Sequence, residues 1–513
     1  MRRFFVLISG ILLTHYAVAQ LTVSGTVISS EDNAGMPGVN VVVQGTTAGT
    51  VTDLNGRYSI NLESGNITLV FSFIGFTTQS FEVGNRTTID VIMEPELTQL
   101  SEIVVIGYGT VRKSDLTGSV SSLKGAELTK IPSINAAQAL QGKVPGVQVT
   151  SATGAPGDKS IVRIRGMGTF NNNDPIFVVD GVILNNIDFL NSGDIESMEV
   201  LKDASATAIY GSRGANGVIM ITTKQGTLGE EQPTVNVTAE YSTQQLEKKI
   251  DLLNGPQFAT IVNEIRPGSY NNVDLVPNTD WQDLIFRTAP IQNYQASVSG
   301  STSIVQYYVG LGYFNQSGII PKSGYERFSL KLNNIYHLTK NIKLGNNLTF
   351  TPRQQQNTHD NAVFVVYRAQ PVIPVYQPDG SYSEVPGVGN VLADIEYRNS
   401  YENSYRAVGN FYGEVTFLKN FVLKSSYGID LDNIRNKSFT PVFYVSPQQQ
   451  NSFSRLSKDF NNIFSWLWEN TISFRKEIAM HRIDIVGGYT AQESSSEFLH
   501  LEGLNIIRDQ KDF

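Results

Sequence analysis

From about residue 232 onward the chain alternates apolar and polar side chains with a period of two, over stretches of ten residues or more. Val235, Val237, Ala239 and Tyr241 alternate with Asn236, Thr238, Glu240 and Ser242. Val305, Tyr307, Val309, Leu311 and Tyr313 share one face of the next clear example. Phe328, Leu330 and Leu332 alternate with Ser329, Lys331 and Asn333. The pattern returns at Ile342, Leu344, Leu348 and Phe350, then at Phe421, Leu423, Tyr427 and Ile429. It closes with Phe464, Trp466, Trp468, Ile472 and Phe474, followed by Ile483, Ile485 and Tyr489. Successive side chains of a strand point to opposite faces, so each stretch has one apolar face and one polar face. Strands of soluble sandwiches run to about five or six residues. Strands twice that long, joined by alternately short and long loops, predict the wall of an antiparallel transmembrane β-barrel. Ser301 and Thr302 make a short turn, and residues 254–280 and 352–401 are expected to form long outer loops. Trp281, Tyr307 and Tyr308 are assigned to the lipid interface, where such rings concentrate.

Composition narrows the function classes. Cysteine is absent, which excludes a disulfide scaffold, a thiolate zinc site and a cysteine nucleophile. The five histidines are scattered, so no histidine-built metal site is expected, nor any cofactor. The net charge of −8 argues against nucleic acid as a partner. Charged residues are only 17% of the chain, below the ~25% of ordinary soluble domains. At the N-terminus Arg2 and Arg3 precede an apolar run from Phe4 to Leu13, and Ala17-Val18-Ala19 ends the segment. Residues 1–19 therefore read as a secretory signal peptide cleaved before Gln20. The apolar run is too short to span a bilayer as a helix. An exported chain that enters a membrane without such helices does so as a barrel.

Residues 20–95 alternate short β-rich runs with turn signals, among them Met36-Pro37-Gly38 and Asp53-Leu54-Asn55-Gly56. They predict a small β-sandwich. Residues 23–62, VSGTVISSEDNAGMPGVNVVVQGTTAGTVTDLNGRYSINL, resemble the carboxypeptidase-regulatory-like domain, usually a non-catalytic module. Asp53 and Asn55 are read as turn formers rather than metal ligands.

Residues 96–115 form a linker. Within it Ile103, Val104, Val105 and Ile106 make a β-branched run closed by Gly107 and Gly109. Such a segment suits strand addition to another protein's sheet; its local sequence alone favours an ordinary strand of a flanking domain. Residues 116–226 read as mixed α and β. Ser133 is expected to cap a short helix through Ala136, Ala137, Ala139 and Leu140, stopped by Gly142. Strands are expected at 147–150, 161–165, 176–179, 195–201 and 217–223. Asp180-Gly181 predicts a tight hairpin turn, and Asp203 caps a helix through Ile209 closed by Gly211.

Two blocks of this region are more specific: IVRIRGMGTFNNNDPIFVVDGV at 161–182 and ESMEVLKDASATAIYGSRGANGVIMITTKQG at 196–226. Together they resemble the plug domain of the SusC/RagA family of TonB-linked outer-membrane transporters. The order of signal peptide, regulatory-like domain, linker, plug and barrel also follows that family. The resemblance implies import of large nutrients, oligosaccharides or oligopeptides, across a Gram-negative outer membrane, with a SusD-like surface lipoprotein as partner. It implies that Glu102, Ile103, Val104, Val105, Ile106, Gly107 and Tyr108 are the box that pairs with TonB, and the family position decides that segment. It implies that Arg163, Arg165 and Asp180 hold the plug in the barrel by charge pairing, with Arg213 and Asn216 acting likewise. Gly166, Gly181, Asp203, Tyr210, Gly211, Gly214 and Gly217 complete the plug motif. About nine barrel strands can be counted, against the 22 of large plugged transporters. The chain therefore reads as the N-terminal portion of a protein about twice as long, or as a truncated gene product.

Other functions fit less well. Gly211, Gly214 and Gly217 lack the spacing and the βαβ setting of a dinucleotide fingerprint. Ser121-Ser122-Leu123-Lys124 has no companion motif, and Asp194, Glu196 and Glu199 read as solvated edge charges, so no enzyme activity is expected. A TonB-linked signal transducer and a secreted all-β binder or adhesin are the alternatives.

Overall fold

The computed structural model describes residues 21–506 apart from 31–33, 47, 63–66, 74–75, 95–102, 107–108, 113–119, 130–134, 152, 228, 230–231, 359–360 and 479–480. The signal-peptide reading of residues 1–19 and the capping role given to Ser133 lie outside the described residues. The chain divides into two compact units, the first running up to Ile103 and the second comprising Val104–Val111 and most of the rest.

The first unit contains two sheets. Leu21–Ser29 pairs antiparallel with Arg57–Leu62 and parallel with Val91–Met93. Gly49–Val51, Asn40–Val43, Thr68–Ser72 and Gln79–Glu82 form the other sheet in that order. Alternation drives the packing: along Arg57–Leu62, Tyr58, Ile60 and Leu62 are buried while their neighbours are exposed. These join Val23, Val41, Leu69 and Phe71 in one core. The Tyr58 hydroxyl donates to the Ile89 carbonyl at 2.8 Å, and burial, helped by Asp90, pushes its pKa up to about 12. Asp53 Oδ1 accepts from the amides of Asn55 and Arg57, at 2.9 and 2.8 Å, which is the local bonding of a turn former.

Ile103–Ile106 and Gly109–Arg112 form a two-stranded sheet. A mixed five-stranded sheet runs in the order Val120–Lys124, Ile195–Leu201, Val218–Thr223, Ile176–Val179, Val182–Leu184. A separate hairpin joins Val147–Ser151 to Ser160–Ile164. This plug has its own apolar core, built on Leu140, Leu184, Phe189, Met198 and Ile219 among others. The helix expected near 136–140 is only a 3-10 turn, Gln138–Leu140. Asn135 Oδ1 accepts from the Gln138 amide at 2.8 Å. Asp203 caps Ala204–Thr207 by accepting from the Ala206 amide. A 3-10 segment follows, kinked at Gly211, where φ is 59° and ψ is −146°.

Nine strands form one antiparallel sheet in sequence order. They are β1 (Thr234–Gln244), β2 (Ala289–Ser301), β3 (Val305–Ser317), β4 (Gly324–His337) and β5 (Ile342–Asn357), then β6 (Asn399–Phe417), β7 (Phe421–Thr440), β8 (Arg455–Ile478) and β9 (His481–Leu504). The strand count read from the periodicity matches this wall. Its amphipathicity is inverted. Along β4 the buried residues are Tyr325, Arg327, Ser329, Lys331 and Asn333, while Phe328 is 52% exposed. Polar side chains face the plug and apolar ones face outward, as a strand between lipid and a wet lumen requires.

Two sequence expectations shift here. Residues 352–357 and 399–401 belong to β5 and β6, so that loop is shorter than 352–401. The polar run Gln354-Gln355-Gln356 resembles a loop but pairs with Asn403, Glu402 and Tyr401. Trp281 is not at a lipid interface. It sits with Ile285, Val365, Val366 and Val391 in a core shared by two outer loops, and its indole N–H donates to the Gln370 carbonyl.

Candidate functional site: the plug–wall interface

Three plug turns meet the polar face of the wall. The first is the hairpin tip Asp180-Gly181. Both residues have positive φ, 48° and 92°, the backbone that a two-residue hairpin favours and that Asp and Gly supply most readily. Asp180 Oδ1 accepts from the Thr223 amide at 2.9 Å. Its Oδ2 accepts from the Thr223 hydroxyl at 2.6 Å and from Lys331 Nζ of β4 at 3.0 Å. Lys331 is 1% exposed and also donates to Thr349 of β5. Asn410 of β6 donates to the Asp180 carbonyl at 2.6 Å. A buried ion pair is costly to desolvate unless further hydrogen bonds support it, and here Thr223 bonds the carboxylate and Thr349 the ammonium.

The second contact is the turn Asn191–Asp194. Asn191 Oδ1 accepts from the Gly193 amide and from Gln295 of β2, at 3.1 and 2.9 Å. Asp194 accepts from the Tyr308 hydroxyl of β3 at 2.8 Å. Two glycines of β3 permit this approach: a Cβ on Gly310 would lie 2.6 Å from Asp194 Oδ1, and one on Gly312 would lie 2.7 Å from Asn191 Nδ2. Burial pushes the Asp194 carboxyl above the usual carboxylate range, against the opposing pull of the Tyr308 hydroxyl and of Lys331, Lys224 and Arg327. Burial likewise raises Asp188.

The third contact lies at residues 186–189. Arg406 of β6 donates to Asn186 at 2.6 Å, grips Asp430 of β7 through two bonds of 2.9 and 2.8 Å, and lies over the Phe189 ring at 4.5 Å. Arg327 of β4 donates to the Asp188 carbonyl at 3.0 Å. The arrangement is a set of plug carboxylates and carbonyls facing wall cations and amides. Hydrogen bonds and ion pairs hold most of it together, a bonding suited to a seat that can be left and retaken.

The motif residues separate into two groups. Asp180 meets the wall through Lys331, and Arg213 bonds Gln492 of β9. Arg163 pairs with Asp174 inside the plug, not with the wall, and Asn216 donates to the Asn172 and Asp174 carbonyls. Arg165 and Gly166 form an exposed turn with φ of 58° and 86°. Tyr210 packs against Met220 and Val218 in a small second core. Gly214 sits where a Cβ would press on Thr207, and Gly217, with φ of 94°, lies against Ile164. In the linker, the backbone of Ile103–Ile106 is a strand, while Glu102, Gly107 and Tyr108 lie outside the described residues.

Tyr308, assigned to the lipid interface, is instead buried against the plug. Asp194 and Glu199, read as solvated, are 6% and 3% exposed. A charged residue in a strand does not announce what packs on it. The available signal lay in the wall: Arg327 and Lys331 stand mid-strand on the polar face of β4, where a lumen filled only with water needs no fixed cations. Among the described residues, no group of three or more His, Asp or Glu side chains is placed to hold a metal ion.

A plug domain seated on the polar face of a long-stranded amphipathic wall defines the TonB-dependent receptor class. Comparisons agree with that assignment. Residues 23–105 match the CarboxypepD_reg-like domain and residues 112–218 the TonB-dependent Receptor Plug Domain. The chain is 40% identical over 506 residues to TonB-dependent receptor P3 of Formosa agariphila, covering 95% of this chain and 49% of that one. It is 38% identical over 444 residues to TonB-dependent receptor SusC of Bacteroides thetaiotaomicron, covering 79% and 44%. A solved structure of the RagAB peptide importer in an open-open state superposes with a TM-score of 0.72 at 24% identity, covering 80% of this chain and 51% of that one. The chain belongs to the SusC/RagA family of TonB-linked receptors. It spans about half the length of the curated relatives it matches.

Proposed function

We propose that this chain serves TonB-dependent import of large nutrients across a Gram-negative outer membrane, gated by the plug. The observation that carries the reading is the plug–wall seat: a folded domain held on a polar barrel face by Asp180–Lys331, Asp194–Tyr308 and Arg406–Asn186. A seat of that chemistry blocks the lumen at rest and is released by force applied elsewhere. Residues 102–108, ahead of the plug, are the place for that force. A β-branched extended segment there pairs edge to edge with the periplasmic domain of TonB. On this reading residues 1–19 direct export, and a SusD-like lipoprotein delivers an oligosaccharide or oligopeptide from outside. The relation to SusC, a TonB-dependent receptor, and the shared fold of the RagAB peptide importer support the reading of a large cargo. No step in this account is enzymatic.

Binding of the purified TonB periplasmic domain to the intact gene product tests the reading. Val104→Pro or Val105→Pro removes a ladder donor and should weaken binding by about tenfold or more. Unchanged binding by both variants removes the box from the account.

A further inference from the structure

The plug meets the wall in two chemically different ways. Toward β6 and β7 apolar packing accompanies the hydrogen bonds of Arg406 and Asn410, and this is the drier side. Val408 of β6 belongs to the plug's own apolar core, together with Val182, Leu184 and Phe189, and among the described residues it is the one wall residue that does. Arg406 covers the Phe189 ring on the same side, and Val182 lies against Gly428 of β7. Toward β1, β2 and β3 the contact is made of amides and hydroxyls. It leaves a cavity of about 350 Å³ between the Asn191–Asp194 turn and the wall residues Asn293, Gln295, Ser297 and Tyr308. At ~30 Å³ per water that space has room for several waters, and its lining offers them partners.

The two sides respond differently to separation. Parting the β6–β7 contact exposes apolar surface to water, which the hydrophobic effect opposes. Parting the β1–β3 contact exchanges bonds between polar groups for bonds to water already at hand, and wet polar contacts lose little by that exchange. We propose that the plug parts from the wall along β1–β3 while the packing of Val408 into the plug core stays closed as the hinge, so that a hydrophilic solute passes beside the Asn191–Asp194 turn. The inference rests on the import reading above and adds to it the side on which the passage opens.

Because the chain lacks cysteine, single thiols report without background. The experiment places Ser297→Cys and Asn293→Cys on the cavity side, and Gly428→Cys and Val408→Cys on the dry side, in the full-length gene product in its own outer membrane. Two positions per side keep the comparison valid if one variant fails to assemble. A membrane-impermeant biotin maleimide is added to cells with and without functional TonB. The cavity-side thiols should label on the order of tenfold faster than the dry-side pair, a difference expected of two contacts that open with unequal ease. Equal labelling at all four positions, faster labelling on the dry side, or no labelling anywhere overturns the inference. TonB dependence is read separately. A cavity-side preference that is the same with and without TonB keeps the opening side and removes TonB from the import reading. TonB-dependent labelling without a side preference does the reverse.

Discussion

Replacing Lys331 with methionine keeps most of the side-chain volume and deletes one charge from the centre of the plug seat. Its ammonium lies 3.0 Å from Asp180 Oδ2 and 3.3 Å from Thr349 Oγ1, in a side chain 2% exposed. Removing one partner of a buried pair costs about 3–5 kcal/mol, because the other charge is left uncompensated. Asp180 keeps the Thr223 amide and hydroxyl, at 2.9 and 2.6 Å, which favours the lower end, about 3 kcal/mol. At 1.4 kcal/mol per decade this corresponds to about a hundredfold loss of amide-exchange protection in a unit that opens as the plug leaves its seat. Hydrogen exchange across Ile176–Val179 and Val182–Leu184, in the detergent-solubilised full-length protein, reads this directly. Adding Asp180→Asn to Lys331→Met should recover most of the loss, since no unpaired charge remains. Undiminished protection in the single variant, or a double variant worse than the single, refutes the reasoning.

Gly310→Ala places a Cβ about 2.6 Å from Asp194 Oδ1 and should cost about 1–3 kcal/mol of plug seating, read as lost exchange protection at Ser192–Asp194. Gly413→Ala meets only Leu344 Cδ2, at 3.4 Å, and should leave protection there unchanged. Seating also depends on pH through Asp194 and Asp188, whose carboxyls burial raises above their ordinary values. The seated state therefore holds protons that the released state gives up. Their contribution is full below the ordinary carboxylate pKa of about 4 and is lost as pH rises through the raised values. Protection of the Asn191–Asp194 turn should fall over that window, after correction for intrinsic exchange, and Asp194→Asn should flatten the trend; a rise with pH contradicts it.

Much of the fold was legible because one physical rule repeats. A period of two over ten or more residues fixes strand, face and wall together, and β3, β4, β7 and β8 follow from it. Asp180-Gly181 was legible because few residue pairs adopt two consecutive positive φ values. The seat itself was not. Asp194 lies two residues before exposed Glu196 in sequence, and it is Asp194 that the plug's docking places against Tyr308 of β3. Tyr308 has the same composition cues as a girdle tyrosine, and its face is set by register, which places Tyr307 and Tyr308 on opposite sides of β3. Arg163 and Asp180 stand in similar motif blocks, yet one pairs within the plug and the other with the wall, because pairing depends on where the turns end in space. Trp281 was misplaced because the outer loops build a core of their own, drawn from segments about eighty residues apart in sequence that carry no shared period.

The central claim is that β4 and its neighbours stand between lipid on one face and the plug on the other. Spin labels placed one at a time from Tyr325 to Tyr336, in the full-length protein in its membrane, test it most directly. The account predicts alternating accessibility to dissolved oxygen: high at Phe328, Leu330 and Leu332, low at Arg327, Ser329 and Lys331. Accessibility to a water-soluble relaxer should stay low on both faces in mid-strand. Uniform exposure to the water-soluble relaxer, or oxygen accessibility without alternation, would contradict a lipid-facing wall closed over a plug.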